Sequence, residues 1–178
     1  NMRKQLIGIS VNLKRTSADK TKSDMLAVGV FEDNLKNSKA LQSLDKKLGG
    51  SIAKLIKLGD FKGTALSTVN IYTENKIAPA RVLLVGLGGK DKFNADVLRK
   101  AASLSAKIAV DMKCEILTLD LHSEVESGTI SSEKIGQVLA EGAHFGGYRY
   151  DEFLSGTENG RAAKLTVSVI DTTAAGAK

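Results

Sequence analysis

The sequence predicts an α/β fold in which a mixed, largely parallel central sheet is flanked by helices. Three observations support this prediction. Short apolar runs of β type alternate along the 178 residues with longer stretches that keep helical spacing. Residues 81–87 (RVLLVGL) form a continuous β-type run, as in strands covered on both faces. The chain has no internal repeat, and 42% hydrophobic residues suffice for the core of one domain.

The first quarter of the chain contains two predicted strands. Residues 6–13 alternate apolar and polar side chains after their start, which is typical of a half-buried strand. A polar loop follows over residues 14–24. Residues 25–31 form an apolar run that is long enough for a buried strand and too short for a helix.

An interrupted helix and another strand come next. Apolar side chains keep helical spacing over residues 39–57, and the pair Gly49 and Gly50 divides this stretch into two helical pieces. Residues 65–72 have the composition of a strand, which ends at the turn-prone residues 73–76 (TENK).

The central strand over residues 81–87 leads into a long predicted helix. Gly88 and Gly89 form the turn, and Asn94 is a credible N-cap, with Asp96 in the first helical turn. The helix extends to about Met112, and one face is predicted to carry Val97, Ala101, Leu104 and Ile108.

The last third of the chain repeats this strand–helix–strand order. Residues 115–121 are predicted to form a strand, and Ser132 to cap a helix. Residues 164–170 form the final predicted strand, before a tail of small residues. The apolar side of the helix that Ser132 is predicted to cap carries Ile135, Val138, Leu139 and Ala143.

The charge of the chain raises the question of nucleic-acid binding. The formal net charge is +6 and the isoelectric point is near 9.4. Aromatic residues make up only 4% of the chain and none is Trp, which argues against a stacking platform for single strands. A solvated basic surface is therefore favoured over a DNA-binding site. The candidate basic patch lies in the polar loop and consists of Lys14, Arg15, Lys20 and Lys22.

The single cysteine, Cys114, excludes an internal disulfide framework and suits a reducing compartment. Its position between a predicted helix and a predicted strand favours a buried structural thiol over a nucleophile. No apolar run approaches the ~18 residues of a membrane span, and the N-terminal residues lack the apolar core of a signal peptide. We therefore expect a soluble cytoplasmic protein.

The glycine-rich turn after the central strand is the one candidate for anion contact, through Gly86, Gly88 and Gly89. A P-loop would need glycine at position 84, where Leu84 stands. A dinucleotide fingerprint would need its third glycine at Asp91. A tight strand-to-helix turn is therefore favoured, and a nucleotide-binding module remains an alternative.

No metal or catalytic site is predicted. His122 and His144 lack an i, i+4 partner for zinc, and His144 is interpreted as a packed or capping residue. No Gly-x-Ser-x-Gly nucleophile elbow occurs. The segment of Tyr148, Arg149 and Tyr150 combines large contact area with hydrogen-bonding groups, and it is a candidate interface. The equal alternative is that the tyrosines pack under the last strand and Arg149 pairs with a nearby carboxylate.

Three blocks, in order, resemble the N-terminal domain of the leucyl (cytosol) aminopeptidases, the M17 metallopeptidase family. Residues 58–64 (LGDFKGT) are similar to the family's glycine–acidic–Phe-x-Gly turn. Residues 82–93 (VLLVGLGGKDKF), followed by 98–102 (LRKAA), resemble its central strand, glycine turn and helix. Residues 140–143 (AEGA), followed by 148–151 (YRYD), resemble its closing helix and exit.

This resemblance implies a macro-domain-like three-layer fold over residues 1–170, with residues 171–178 starting a linker to a catalytic domain absent from this chain. In the family that domain holds two divalent metals, zinc or manganese, and the enzymes assemble as hexamers. None of the metal-ligand motifs occurs here, so no catalytic residue or metal ligand is carried over. The expected role is non-catalytic, in oligomer assembly or regulation of a peptide-hydrolysing parent, with the catalytic domain and further copies as partners.

Overall fold

The computed structural model describes residues 8–147 and 164–171, which build a six-stranded sheet in the order β1-β6-β5-β2-β4-β3. Every neighbouring pair is parallel except β3 with β4, which is antiparallel. The predicted α/β fold with a mixed, largely parallel sheet is confirmed. The strands are β1 (Gly8–Lys14), β2 (Met25–Phe31), β3 (Thr68–Tyr72), β4 (Arg81–Gly88), β5 (Ile116–Asp120) and β6 (Lys164–Ile170).

Helices cover both faces of this sheet and make three layers. On one face lie α3 (Ala95–Asp111) and α4 (Ser132–Gly146), and on the other lie α1 (Lys39–Lys47) and α2 (Ser51–Leu58). Side chains of β4 alternate between the two cores, with Leu83 in the α3–α4 core and Leu84 in the α1–α2 core. This explains why residues 81–87 are continuously apolar.

Several predicted boundaries are confirmed. The strands predicted at residues 25–31 and 164–170 have these bounds in the structure. The glycine pair divides α1 from α2, because Gly49 and Gly50 both have positive φ angles, of 73° and 89°. The strand predicted from residue 65 begins only at Thr68, because the amide of Ser67 donates to the carbonyl of Thr64 in a turn.

Two predictions about the long helices are corrected. The N-cap of α4 is Ser131, not Ser132, since the Ser131 hydroxyl accepts a hydrogen bond from the Lys134 amide. On α3 the predicted apolar face is rotated, because α4 packs against it as well as the sheet. The fully buried residues of α3 are Leu98, Ala101, Ala102, Ser105, Ala106 and Ala109.

Small residues allow α3 and α4 to approach closely. A Cβ atom placed on Gly142 would lie 2.2 Å from the carbonyl oxygen of Arg99, and one on Gly146 would lie 1.9 Å from that of Ser103. Arg99 also bridges the two helices by pairing with Glu141 at 2.9 Å. Within residues 8–147 and 164–171, no helix is long and apolar enough to cross a lipid bilayer.

Candidate functional site

The carboxyl ends of β2 and β5 define the candidate site. These strands are neighbours in the sheet, but the chain leaves β2 toward α1 on one face and leaves β5 toward α4 on the other. Such a topological switch point creates a crevice, and open α/β sheets bind their ligands there. The two sides of the expected crevice are the segment after β2, at residues 32–38, and the segment after β5, at residues 121–126.

Glu124 connects the two walls of this crevice. Its Oε2 accepts a 2.7 Å hydrogen bond from Nδ2 of Asn34, and its Oε1 accepts one from the hydroxyl of Ser38. The Ser38 oxygen also accepts the amide hydrogen of Leu41 and thereby caps α1. The chain's own polar groups therefore occupy the place where this fold class offers a ligand site.

Two further titratable side chains lie at the end of β5. His122 is buried, and its Nε2 is 2.8 Å from the carbonyl oxygen of Ile170. Oδ1 of Asp120 and Nδ1 of His122 are buried, with no hydrogen-bond partner among the described residues. Burial raises the pKa of Asp120, an effect that His122 and a hydrogen bond from Ser123 partly offset.

Of these side chains the sequence analysis considers only His122, as a zinc ligand, although a local signal for the whole set is available. Asp120 lies at the end of the strand predicted over residues 115–121, and His122 and Glu124 come directly after it, at the sheet edge where parallel strands place ligand-binding groups. Their partners Asn34 and Ser38 carry no comparable local signal. Among the described residues, no group of three or more His, Cys, Asp or Glu side chains is arranged to hold a metal ion.

The glycine turn packs tightly against a neighbouring loop. The amide of Gly86 donates to the Ser67 carbonyl at 2.8 Å, and the amide of Gly88 donates to the Gly63 carbonyl at 3.0 Å. A Cβ atom on Gly86 would lie 1.9 Å from the carbonyl oxygen of Thr64. At Gly89 the chain enters a short 3-10 turn. Anion contact by the three glycines stays a prediction, since two of their amides already donate to the chain itself.

The four residues of the candidate basic patch lie on the connection from β1 to β2 and are exposed. Lys14 ends β1, and Lys20 lies in a short 3-10 turn. The side chain of Arg15 lies 3.6 Å from the carboxylate of Asp171. Lys22 follows the turn. Among the described residues, one of the four charges thus pairs with an acid, and a DNA contact stays a prediction.

The remaining sequence-based candidates have different outcomes. Cys114 is buried, as predicted, and its pKa is raised by burial and by the charge of Asp24, against the effect of Arg81. His144 is exposed in the last turn of α4, so of its two interpretations the packed residue is wrong, and the capping residue stays a prediction. The interface candidates Tyr148, Arg149 and Tyr150 lie outside the described residues.

A second concave feature lies on the other side of the molecule. It is a groove of about 440 Å³ between α1, α2 and the segment before α1. Its floor contains Leu41 and Ile52 from the α1–α2 core. The lining residues are Leu35, Lys36, Leu41, Gln42, Asp45, Ile52, Ala53, Ile56 and Lys57.

A largely parallel six-stranded sheet between two helical layers defines a macrodomain-like α/β domain. The macrodomain of Thermus aquaticus DarG superposes with a TM-score of 0.63 and covers 92% of this chain and 99% of its own, at 8% identity, so this likeness concerns the fold alone. The family model for the N-terminal domain of the cytosol aminopeptidase family matches residues 27–157. The chain belongs to this family, and the resemblance drawn from its sequence blocks is confirmed.

Individual relatives agree with this assignment. A probable cytosol aminopeptidase of Sulfurihydrogenibium sp. is 29% identical over 161 residues, which are 90% of this chain and 31% of that protein. A tomato leucine aminopeptidase variant superposes with a TM-score of 0.73 at 21% identity, over 96% of this chain and 34% of its own. The chain therefore spans about a third of the length of the relatives that it matches.

Proposed function

We propose that this chain is the non-catalytic N-terminal domain of a leucyl-type metallo-aminopeptidase and serves the assembly or regulation of that enzyme. The observation that carries the proposal is the set of hydrogen bonds that joins the segments after β2 and β5. The side chains of Glu124, Asn34 and Ser38 bond to one another there, and the described residues offer no metal-binding cluster. An acyl-transfer or hydrolytic site needs an activated nucleophile or metal-bound water with space for substrate.

The parent enzyme would release N-terminal amino acids from peptides in the cytoplasm. Its catalytic domain would hold two divalent metals, zinc or manganese, which activate a bridging water and polarise the peptide carbonyl. Residues 1–170 would form the supporting domain, residues 171–178 would begin the linker, and six copies would assemble. Support comes from the family membership and from the names of the relatives, which are cytosol aminopeptidases.

Hydrolysis of a leucine anilide tests the non-catalytic role. We expect the purified 178-residue chain to release no chromophore with added Mn²⁺ or Zn²⁺, whereas a longer protein from the same reading frame, continuing past Lys178, hydrolyses it. Metal-dependent turnover by the 178-residue chain, abolished by a chelator, would refute the proposal. A downstream reading frame without a metal-binding domain rich in Asp, Glu and Lys would also refute it.

The macrodomain-like fold favours a second candidate, a nucleotide-binding module. Its binding site would involve Gly86, Gly88 and Gly89, near the switch-point crevice. Calorimetry with ADP-ribose decides this candidate, because heat at up to millimolar ligand supports it and the absence of heat excludes it. Gly86→Ala is unsuited as a control here, since it disturbs the packing of the turn.

The exposed basic residues on the β1–β2 connection favour a third candidate, DNA binding. Affinity for a duplex through the candidate basic patch of Lys14, Arg15, Lys20 and Lys22 would fall steeply with added salt, because counterions are released from the phosphates. We therefore expect that a K14E/K20E/K22E variant would lose retention of duplex at low salt if this candidate holds. Retention that is negligible for the unaltered chain would exclude it.

A further inference from the structure

The positive charge of the chain is concentrated on the α1–α2 layer. Residues 35–62 contain seven lysines and two aspartates, and no other charged residue. Their net charge is therefore +5, compared with +6 for the whole chain. All seven lysine side chains are exposed. They are Lys36, Lys39, Lys46, Lys47, Lys54, Lys57 and Lys62.

Within the described residues 35–62, the two aspartates of this layer, Asp45 and Asp60, form no ion pair with any of its seven lysines. Oδ1 of Asp45 accepts the amide hydrogen of Ile52 at 2.7 Å, and Oδ2 accepts that of Ala53 at 3.3 Å. Asp45 thus acts on the first turn of α2, where a carboxylate is favoured by the helix dipole. Among the described residues only Lys47 of the seven lysines pairs with an acid, Asp19.

The groove lies within this basic layer. Its floor is apolar, formed by Leu35, Leu41, Ile52 and Ile56, and the side chains of Lys36 and Lys57 stand at its rim. Leu58, the last residue of α2, is 66% exposed. A surface that combines apolar side chains with unpaired cations is suited to bind a segment that carries both apolar and acidic side chains.

We propose that this groove is a docking site for an acidic segment of a partner protein, bound with apolar side chains on the floor and carboxylates at Lys36 and Lys57. The partner is identified by charge complementarity and by the size of the groove, which accommodates two or three apolar side chains. The inference stands apart from the proposed function, because it depends on the described surface and not on the identity of the parent enzyme.

Charge repulsion argues against several other occupants. A second copy of this chain in a two-fold symmetric contact would bring the same basic layer against itself. Segments of this chain rich in Lys would be repelled in the same way. A short groove with an apolar floor is matched by an amphipathic helix whose anchors recur at i, i+3 or i+4 and i+7.

The test uses fluorescence anisotropy with a labelled peptide of Glu and Leu. The peptide has about 14 residues, or about four helical turns, with leucines on one face. A control peptide of the same charge has Ser in place of Leu. We expect the Glu/Leu peptide to bind at least about fivefold more tightly than the Glu/Ser peptide, since each buried leucine contributes apolar transfer free energy. Equal binding of both peptides, or no binding of either at millimolar concentration, would overturn the proposal.

Two pairs of variants locate the binding. K36E/K57E should weaken binding at least about tenfold, whereas K107E/K134E, which makes the same change of net charge on α3 and α4, should change it less than about threefold. Ala53→Phe fills the groove and should weaken binding at least about fivefold, whereas Ala40→Phe, also exposed but outside the groove, should not. Equal losses within either pair would show non-specific attraction and overturn the proposal.

A third experiment uses anionic vesicles to test whether the basic layer binds a lipid surface. Phosphatidylcholine vesicles containing phosphatidylserine are sedimented with the chain under the same ionic conditions. One outcome would overturn the peptide proposal. If the chain co-sediments with the vesicles, K36E/K57E abolishes this, and neither peptide binds, the basic layer binds a lipid surface. All variants change exposed positions, and circular dichroism checks that each is folded.

Discussion

Nδ2 of Asn34 donates a 2.7 Å hydrogen bond to Oε2 of Glu124, which lies 90 positions further along the chain. The same carboxylate accepts the hydroxyl of Ser38, which caps α1. A single side chain thus joins the segment after β2 to the segment after β5, across the crevice where ligands bind in this class of sheet.

Glu124→Ala is expected to destabilise the protein. The change leaves the Asn34 amide and the Ser38 hydroxyl without their acceptor, which costs about 1–3 kcal/mol of the free energy of unfolding. Glu126→Ala is the matched control, because that side chain is 77% exposed and lies 3.7 Å from Lys90. The control should change the free energy by less than ~0.5 kcal/mol. Urea unfolding measures both, and equal effects would contradict the bridging role of Glu124.

Gly86→Ala is expected to lower the stability of the protein strongly, although it adds only one methyl group. Its Cβ would lie 1.9 Å from the Thr64 carbonyl oxygen and 2.7 Å from the carbonyl carbon of Gly63, so backbone must move. We expect a loss of more than about 2 kcal/mol. Gly136→Ala, in α4, meets no atom within 4 Å and should stabilise by about 0.5–1 kcal/mol, because alanine favours helix. Thermal unfolding distinguishes the two, and a neutral Gly86→Ala would contradict the packing described for the turn.

The contrast between these glycines shows what the sequence can and cannot predict. The sequence predicts β2 and β6 with their observed bounds, because β2 is a short apolar run with polar flanks and β6 alternates apolar and polar side chains from Leu165 to Val169. The glycine turn after β4 was recognised as a turn. That the turn packs against residues 63–67 depends on a contact some twenty positions away, which no local pattern encodes.

The helices show the same difference: the sequence predicts where a helix lies, whereas tertiary contacts decide which of its residues are buried. The 3.6-residue period located α3, but the buried stripe includes Leu98 and Ala106, which the predicted face omitted. The stripe is set by α4, whose approach requires Gly142 and Gly146. The pairing of Asn34 with Glu124 is likewise tertiary, so the closed crevice could not be derived from either segment alone.

The Cys114 thiol is expected to react slowly in the folded protein. Burial and the charge of Asp24 raise its pKa, so the thiolate fraction at neutral pH is smaller than in an exposed cysteine. Alkylation by iodoacetamide at pH 7 should be at least ~10-fold slower than in concentrated urea. Mass spectrometry follows the reaction. A native rate equal to the rate in urea would contradict the buried position.

The stability of the protein is expected to depend on pH through Asp120. Because burial raises the pKa of its carboxyl, the folded protein binds this proton up to a higher pH than the unfolded chain, whose carboxyl has a pKa near 3.8. The contribution of Asp120 to the free energy of unfolding is therefore present below pH 3.8 and is lost as the pH rises through the folded pKa.

Asp120→Asn removes this dependence, because the amide keeps the shape of the carboxyl and cannot ionise. The variant should be more stable than the unaltered chain at pH 7, by about 1 kcal/mol, since it avoids placing a negative charge at a position where burial disfavours the ionised carboxyl. The two proteins should converge as the pH falls below 3.8. Asp60→Asn, at an exposed position, serves as the control and should follow the unaltered chain within ~0.5 kcal/mol. Urea unfolding across this pH range is the measurement, and an Asp120→Asn variant less stable than the unaltered chain at pH 7 would mean that the ionised carboxylate is stabilised in the fold.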